Sequence, residues 1–126
     1  MRNSMLAVLT VSAAAILLAG CGDAVEKAAA TATGGDPYRG AAAIRRFGCG
    51  ACHTIPGVSG AHGLVGPNLT GFASRMYIGG VIENTPEHSI RWIQDPKNID
   101  EKTAMPRLGI NAADATDIAA YLYTLR

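Results

Sequence analysis

Apolar and polar positions change their pattern several times along this chain. Residues 5–19 are almost wholly apolar, interrupted only by Thr10 and Ser12. That run is short of the roughly 20 residues a membrane span needs, and long enough for the hydrophobic stretch of an export signal. Gly22 to Gly35 is rich in Ala, Thr and Gly. It reads as a flexible tether with at most a fleeting helix around Ala24–Ala30. Asp36-Pro37 then opens a helix, with Asp as the N-cap and Pro at the first helical position, predicted to run to about Phe47 and end at Gly48. Gly40 and Ile44 share one face of it. Thr54 to Gly71 is punctuated by Gly and Pro and reads as a loop, with a short helix expected over Leu69–Arg75. Thr85-Pro86-Glu87 repeats the helix-start signal. That helix should run to Gln94, because Asp95 precedes Pro96 and the residue before a proline disfavours helix. Ile90 and Ile93 supply its inner face. Lys97 to Ala104 reads as an extended polar loop. Asn111 caps a last helix, with Asp114 three positions on, and Ile118, Tyr121, Leu122 and Leu125 form its apolar stripe.

Composition narrows the class. A chain of 126 residues suits one domain. A formal net charge of +1 implies no polyanionic partner and speaks against nucleic-acid binding. Aromatic residues are few and Gly is frequent, which suits a small fold with much loop. So small a domain buries little surface by itself, so a prosthetic group is expected to complete the core and folding to depend on it.

Chemistry concentrates in Cys49-Gly50-Ala51-Cys52-His53. A bare C-x-x-C is shared by disulfide redox pairs, half zinc sites and haem attachment. The adjoining His narrows it to C-x-x-C-H, the attachment motif of c-type haem. Two thiols at this spacing can add across the two vinyl groups of one haem and form thioethers. His53 follows directly, so its imidazole can reach the iron as the proximal ligand. The only further cysteine is Cys21, and no H-x3-H pair is present, so zinc is poorly supported.

Cys21 closes the segment Leu18-Ala19-Gly20-Cys21, which resembles the lipobox of bacterial lipoproteins. The resemblance implies a signal peptide over residues 1–20 and lipid on Cys21, followed by a tether to Gly35 and a folded domain from Asp36 to Arg126. An ordinary secretory signal or an uncleaved anchor remains the alternative. Lipidation would also account for the odd cysteine. Acyl chains hold a protein to a membrane at about 0.8 kcal/mol per buried methylene, so two or more anchor stably. Gly22 rather than Asp follows Cys21, and the choice between inner and outer membrane stays open. Loss of residues 1–20 removes Arg2 alone among the charged residues and leaves basic and acidic side chains equal in number.

Downstream of the motif come Gly66-Pro67-Asn68-Leu69, then Ala104-Met105-Pro106, then the terminal helix. C-x-x-C-H, G-P-x-L, M-P and a last helix, in that order, resemble the class I cytochromes c from about Asp36 to Arg126. The resemblance implies an all-α fold of about three to five helices wrapped around one covalently bound haem c. It implies that Cys49 and Cys52 attach the haem and that His53 and Met105 are the axial ligands. It implies that the Pro67 carbonyl accepts the His53 Nδ1–H, that Arg75 binds a propionate, and that Trp92 lines the crevice near Met105. Gly40 and Ile44 would pack against Tyr121 of the last helix. The spacing from Gly40 to Cys49 is one residue longer than in mitochondrial relatives. Met76 is the rival thioether but lacks a following Pro. Tyr77 and Asn84 are further candidates for a propionate. His62 and His88 read as solvated.

The expected function is outer-sphere transfer of one electron, with both axial positions filled and no small-molecule substrate, so no enzyme activity is expected. Over Ile55–Leu125 the chain is similar to haem domains fused to subunit II of some terminal oxidases. A terminal oxidase is therefore the expected acceptor, and a quinol-oxidising complex the expected donor. Export places the domain on the periplasmic side of the cell envelope, held to a membrane through Cys21. The alternatives are a haem subunit of a dehydrogenase, and a haem enzyme or sensor with a displaceable distal ligand.

Overall fold

The computed structural model describes residues 22–126; the apolar run and Cys21 lie outside the described residues. Helix α1 covers residues 22–33, where a flexible tether was expected. Its less exposed residues, Val25, Glu26, Ala29, Ala30 and Thr33, fall on one face, and Ala29 is only 2 % exposed. An alanine-rich segment with one packed face favours helix over coil. Among the described residues no helix is long and apolar enough to cross a membrane.

Helix α2 spans Pro37–Arg46, with the Asp36 carboxylate accepting from the N–H groups of Tyr38 and Arg39. Helix α3 spans Pro86–Gln94, and Thr85 Oγ1 accepts from the His88 N–H. Helix α5 spans Ala112–Leu122, with Asn111 accepting from the Asp114 N–H. These are the three helices the capping signals predict. Residues Pro96–Ile99 form a further short helix, α4, where an extended loop was expected. Its start is again Asp-Pro, and Asp95 accepts from the Asn98 N–H. The short helix expected over Leu69–Arg75 is a 3₁₀ turn limited to Phe72–Ser74. A two-residue antiparallel ladder pairs β1, Tyr77–Ile78, with β2, Ile82–Glu83. Gly79 and Gly80 between them both have positive φ (58° and 75°), and the Val81 N–H donates to the Ile78 carbonyl. That is the geometry a tight hairpin turn demands, with glycine removing its steric cost.

Among α2 to α5, the contact of α2 with α5 is the most extensive, followed by that of α3 with α5. Ile44, Trp92, Ile93, Ile118 and Leu122 are buried in the shared core. Gly40 sits where α2 meets α5 backbone to backbone: a Cβ there would lie 2.0 Å from the Asp117 carbonyl oxygen and 3.0 Å from Tyr121 Cβ. The expected trio Gly40, Ile44 and Tyr121 thus belongs to this junction. Tyr121 Oη donates to the Pro56 carbonyl at 2.6 Å, tying α5 to the loop after His53.

Asp117 is a buried acid that its sequence position did not mark. It accepts from the Asp36 N–H at 2.7 Å and from Arg39 Nε and Nη2 at 2.7 and 3.0 Å. Hydrogen bonding from Arg39 holds its carboxyl below the ordinary value, against the opposing effect of burial. A depressed carboxylate contributes stability that is present above its unfolded value and is lost as pH falls through the folded one. Asp117→Asn should therefore lower Tm at neutral pH and lose less on acidification than the parent. Parallel Tm curves against pH for the two proteins would refute this.

Ser89, 1 % exposed on α3, has a buried hydroxyl with no hydrogen-bond partner among the described residues. An unpaired buried hydroxyl costs about 1–3 kcal/mol. Ser89→Ala should therefore raise stability by about 1 kcal/mol in chemical denaturation, and a loss of stability would show that the hydroxyl is bonded in solution.

Candidate cofactor site

The motif segment begins where α2 ends. Phe47 closes the helix, Gly48 follows with φ 71°, and Cys49–Ala51 form a 3₁₀ turn. The N–H groups of Cys52 and His53 both donate to the Cys49 carbonyl, at 3.2 and 3.0 Å. This winding holds both cysteines and the histidine on one compact turn. The two thiols are half-buried and not bonded to each other. Burial pushes the Cys49 thiol above its ordinary value. Among the described residues no group of three or more His, Cys, Asp and Glu could hold a metal ion, so a zinc site fits poorly.

A strap runs back along the motif. The Gly63 N–H donates to the carbonyls of Gly50 and His53, and the Gly66 N–H donates to that of Cys52 at 2.7 Å. The Leu69 N–H donates to the Thr54 carbonyl at 2.8 Å. Pro67 is thereby placed with its carbonyl oxygen 2.7 Å from His53 Nδ1. The carbonyl can only accept, so Nδ1 carries the proton and Nε2 is left with the lone pair, free to bind a metal. Gly66 lies flat against the imidazole, and a Cβ there would come within 2.5 Å of His53 Cε1.

The second pair forms between α3 and the loop after α4. Trp92 Nε1–H donates to Met105 Sδ at 3.2 Å. Trp92 is 8 % exposed, and Met105 packs partly buried against the same core that Cys49 touches. The Met105 N–H is held by Thr103 Oγ1 at 3.2 Å, and Arg107 pairs with Asp95 at the α3–α4 junction. Thus the two candidate donor atoms, an imidazole nitrogen and a thioether sulfur, are each oriented by a hydrogen bond. The two pairs share no hydrogen bond between them among the described residues.

Arg75 is placed differently. Its guanidinium donates to the carbonyls of Asn68 and Thr70, so it braces the loop behind Pro67. The Asn84 side chain is committed to protein: its amide donates to the carbonyls of Phe72 and Arg75 at 2.8 and 3.1 Å, and it accepts from Tyr123 Oη at 3.0 Å. A propionate role for Asn84 would break those bonds. Met76 is 76 % exposed, facing away from the core that holds Met105. His62 is exposed, while His88 is partly buried with Nδ1 2.9 Å from the Glu83 carbonyl. The Asn84 clamp left no local sequence signal, because its partners lie 9 to 39 positions away.

The residues fit a haem on their chemistry: adjacent unpaired thiols, an imidazole with Nε2 free, and a thioether fixed by an indole. The comparison with protein families agrees. The family described as Cytochrome c matches residues 38–126, more than half of the chain. No curated protein and no solved structure matches it.

Proposed function

The chain belongs to the cytochrome c family, and from that premise we propose that it carries single electrons with His53 and Met105 as the two axial ligands of its one haem c. That it is a haem-based electron carrier follows from the family itself. The observation that carries the finer reading is the pair of oriented donor atoms, His53 Nε2 and Met105 Sδ. When bound, the haem supplies an iron that alternates between ferric and ferrous, one electron at a time.

The chain's own residues do the tuning. Cys49 and Cys52 form the two thioethers. Pro67, by accepting a hydrogen bond from the Nδ1–H, orients the His53 ring and raises its basicity. Met105 presents a soft, neutral donor that favours the lower oxidation state. The Trp92 N–H fixes the rotamer of that donor and draws on its electron density. Arg75 has N–H groups beyond those spent on Asn68 and Thr70, suited to a carboxylate. With two donors committed, no position is left for a substrate. Partner contacts should then be small and transient, as redox encounters are.

Export and lipid on Cys21 belong to the same proposal, on the strength of the apolar run and Leu18-Ala19-Gly20-Cys21. A terminal oxidase as acceptor and a quinol-oxidising complex as donor rest on the resemblance over Ile55–Leu125. If Cys21 is lipidated, α1 makes the connection to the membrane a helical spacer instead of a slack chain.

The deciding experiment is an optical spectrum of the exported protein, oxidised and reduced, after denaturing extraction of loose haem. Retained haem with sharp ferrous bands and the weak ferric methionine–iron charge-transfer band is expected. A high-spin spectrum that shifts with carbon monoxide would overturn His/Met ligation in favour of a haem enzyme or sensor. Intact mass of the membrane fraction tests the acylation of Cys21 separately.

A further inference from the structure

We infer that Tyr123 and Asn84 are positioning residues for His53, acting through the 68–75 segment on the carbonyl of Pro67. The inference rests on the reading of His53 as an iron ligand. The bond that orients the imidazole is only as well defined as its acceptor, and Pro67 and Asn68 are exposed loop residues outside any helix or strand. The bonds from the Gly66 N–H to Cys52 and from the Leu69 N–H to Thr54 pin the strap on either side, and the Pro67–Asn68 peptide between them takes its remaining support from the 68–75 segment.

The holding groups can be followed bond by bond. The Asn68 carbonyl, one peptide beyond Pro67, accepts from the Arg75 guanidinium, as does the Thr70 carbonyl at 3.1 Å. The Thr70 N–H donates to Asn68 Oδ1 at 2.8 Å. Arg75 can brace this loop only if its own backbone is fixed. Asn84 does that, with its Nδ2 group bridging the carbonyls of Phe72, the first residue of the 3₁₀ turn, and Arg75, which follows it. The Asn84 N–H also donates to the Met76 carbonyl at 2.9 Å. A side-chain amide has two ends, and Tyr123 selects between them: its hydroxyl donates to Asn84 Oδ1, which turns Nδ2 toward the two carbonyls. Burial pushes the Tyr123 phenol up to about 12, so it stays a donor at neutral pH.

Packing supports the same path. The Tyr123 and Phe72 rings meet edge to face, with centroids 5.9 Å apart and planes at 71°. Two residues on, the Leu125 carbonyl accepts from the Ala73 N–H at 2.9 Å. The chain beyond α5 therefore grips the turn that carries Arg75. A loosened grip would let the Pro67 carbonyl drift from Nδ1. The imidazole would become a weaker donor, and ferric iron would lose stabilisation relative to ferrous.

The test uses the full-length, haem-loaded protein and two variants, Tyr123→Phe and Asn84→Ala. Tyr123→Phe keeps the ring on Phe72 and removes only the hydroxyl. Ile93→Val, a buried change on α3, serves as a control for lost stability alone. The readouts are the reduction potential and the low-temperature EPR g values of the ferric form. Both variants should move the potential upward and shift the largest g value, Asn84→Ala more than Tyr123→Phe. Ile93→Val should change Tm without moving either readout. If both variants lose stability and leave potential and g values unchanged, the two residues are structural only. A fall in potential would also overturn the inference, since it signals water reaching the iron and not a weakened imidazole. If the parent protein shows no histidine-ligated EPR signal, the ligand assignment and this inference fail together. If that signal is present and immobile, only this inference fails.

Discussion

Met105→Ala is expected to leave the haem attached and to lower the reduction potential by a sizeable share of the about 0.8 V over which axial ligands set it. On the proposed ligation, attachment needs only Cys49, Cys52 and His53, which are wound on the turn after α2. With Met105 as the proposed ligand, the potential depends on the thioether, because a soft, neutral donor stabilises ferrous iron relative to ferric. Water or hydroxide in its place favours the ferric form and makes the position accessible to carbon monoxide. A second consequence is structural. The Trp92 N–H loses its acceptor at a site only 8 % exposed, and an orphaned buried donor costs about 1–3 kcal/mol. Spectroelectrochemistry and carbon monoxide titration check the first effect, and thermal denaturation of the ferric form checks the second. An unchanged potential and spectrum would remove Met105 from the ligand set.

Gly40→Ala should be strongly destabilising, because its methyl group would make the closest backbone approach of any described glycine. Helix propensity alone favours the change by about 1 kcal/mol, since glycine is a poor helix former. Sterics oppose it more strongly. The new Cβ would sit 2.0 Å from the Asp117 carbonyl oxygen and 2.7 Å from its carbon, and neither backbone atom can swing aside as a flexible side chain would. Overpacking a tight contact costs typically about 1–3 kcal/mol, and a backbone clash belongs at or beyond the top of that range. The net expectation is a loss of about 2 kcal/mol, or roughly 10 °C in Tm for a domain of this size. The damage should spread, because separating α2 from α5 also pulls Arg39 and Asp36 from Asp117. Thermal and urea denaturation of the holoprotein measure it. An unchanged or raised Tm would mean that the junction is looser than the structure shows.

The same two sites illustrate what could be read from residues in a row. The helices α2, α3 and α5 were legible because each starts on a side chain that caps its own first turn: Asp36, Thr85 and Asn111. Capping is a contact across two or three positions, and local order is enough to specify it. Asp95 carries the same signal for α4, but four residues with an intervening Pro look like loop when periodicity is the guide. Residues 22–33 misled in the opposite way. Their Ala-rich composition suits a linker and a helix alike, and the face bearing Ala29 decides for helix only once there is something to pack on. The hairpin between Tyr77 and Glu83 was not expected, because a Gly79-Gly80 turn between two-residue strands leaves too short an alternation to read as strand.

By itself, the sequence determined the attachment motif and the three capped helices α2, α3 and α5. Cys49, Cys52 and His53 are covalently adjacent, so their relation needs no fold, and the capping residues act on their own neighbours. Of what joins distant positions, the family resemblance anticipated Trp92 beside Met105, Pro67 on His53 and Gly40 against Tyr121; tertiary structure decided the rest. It gave Asp117 its arginine, spent the Asn84 amide on Phe72 and Arg75, and turned Arg75 toward the loop behind Pro67. The physical reason is one of range. A hydrogen bond acts over about 3 Å, and only the folded chain brings residues 39 or 78 positions apart within that distance.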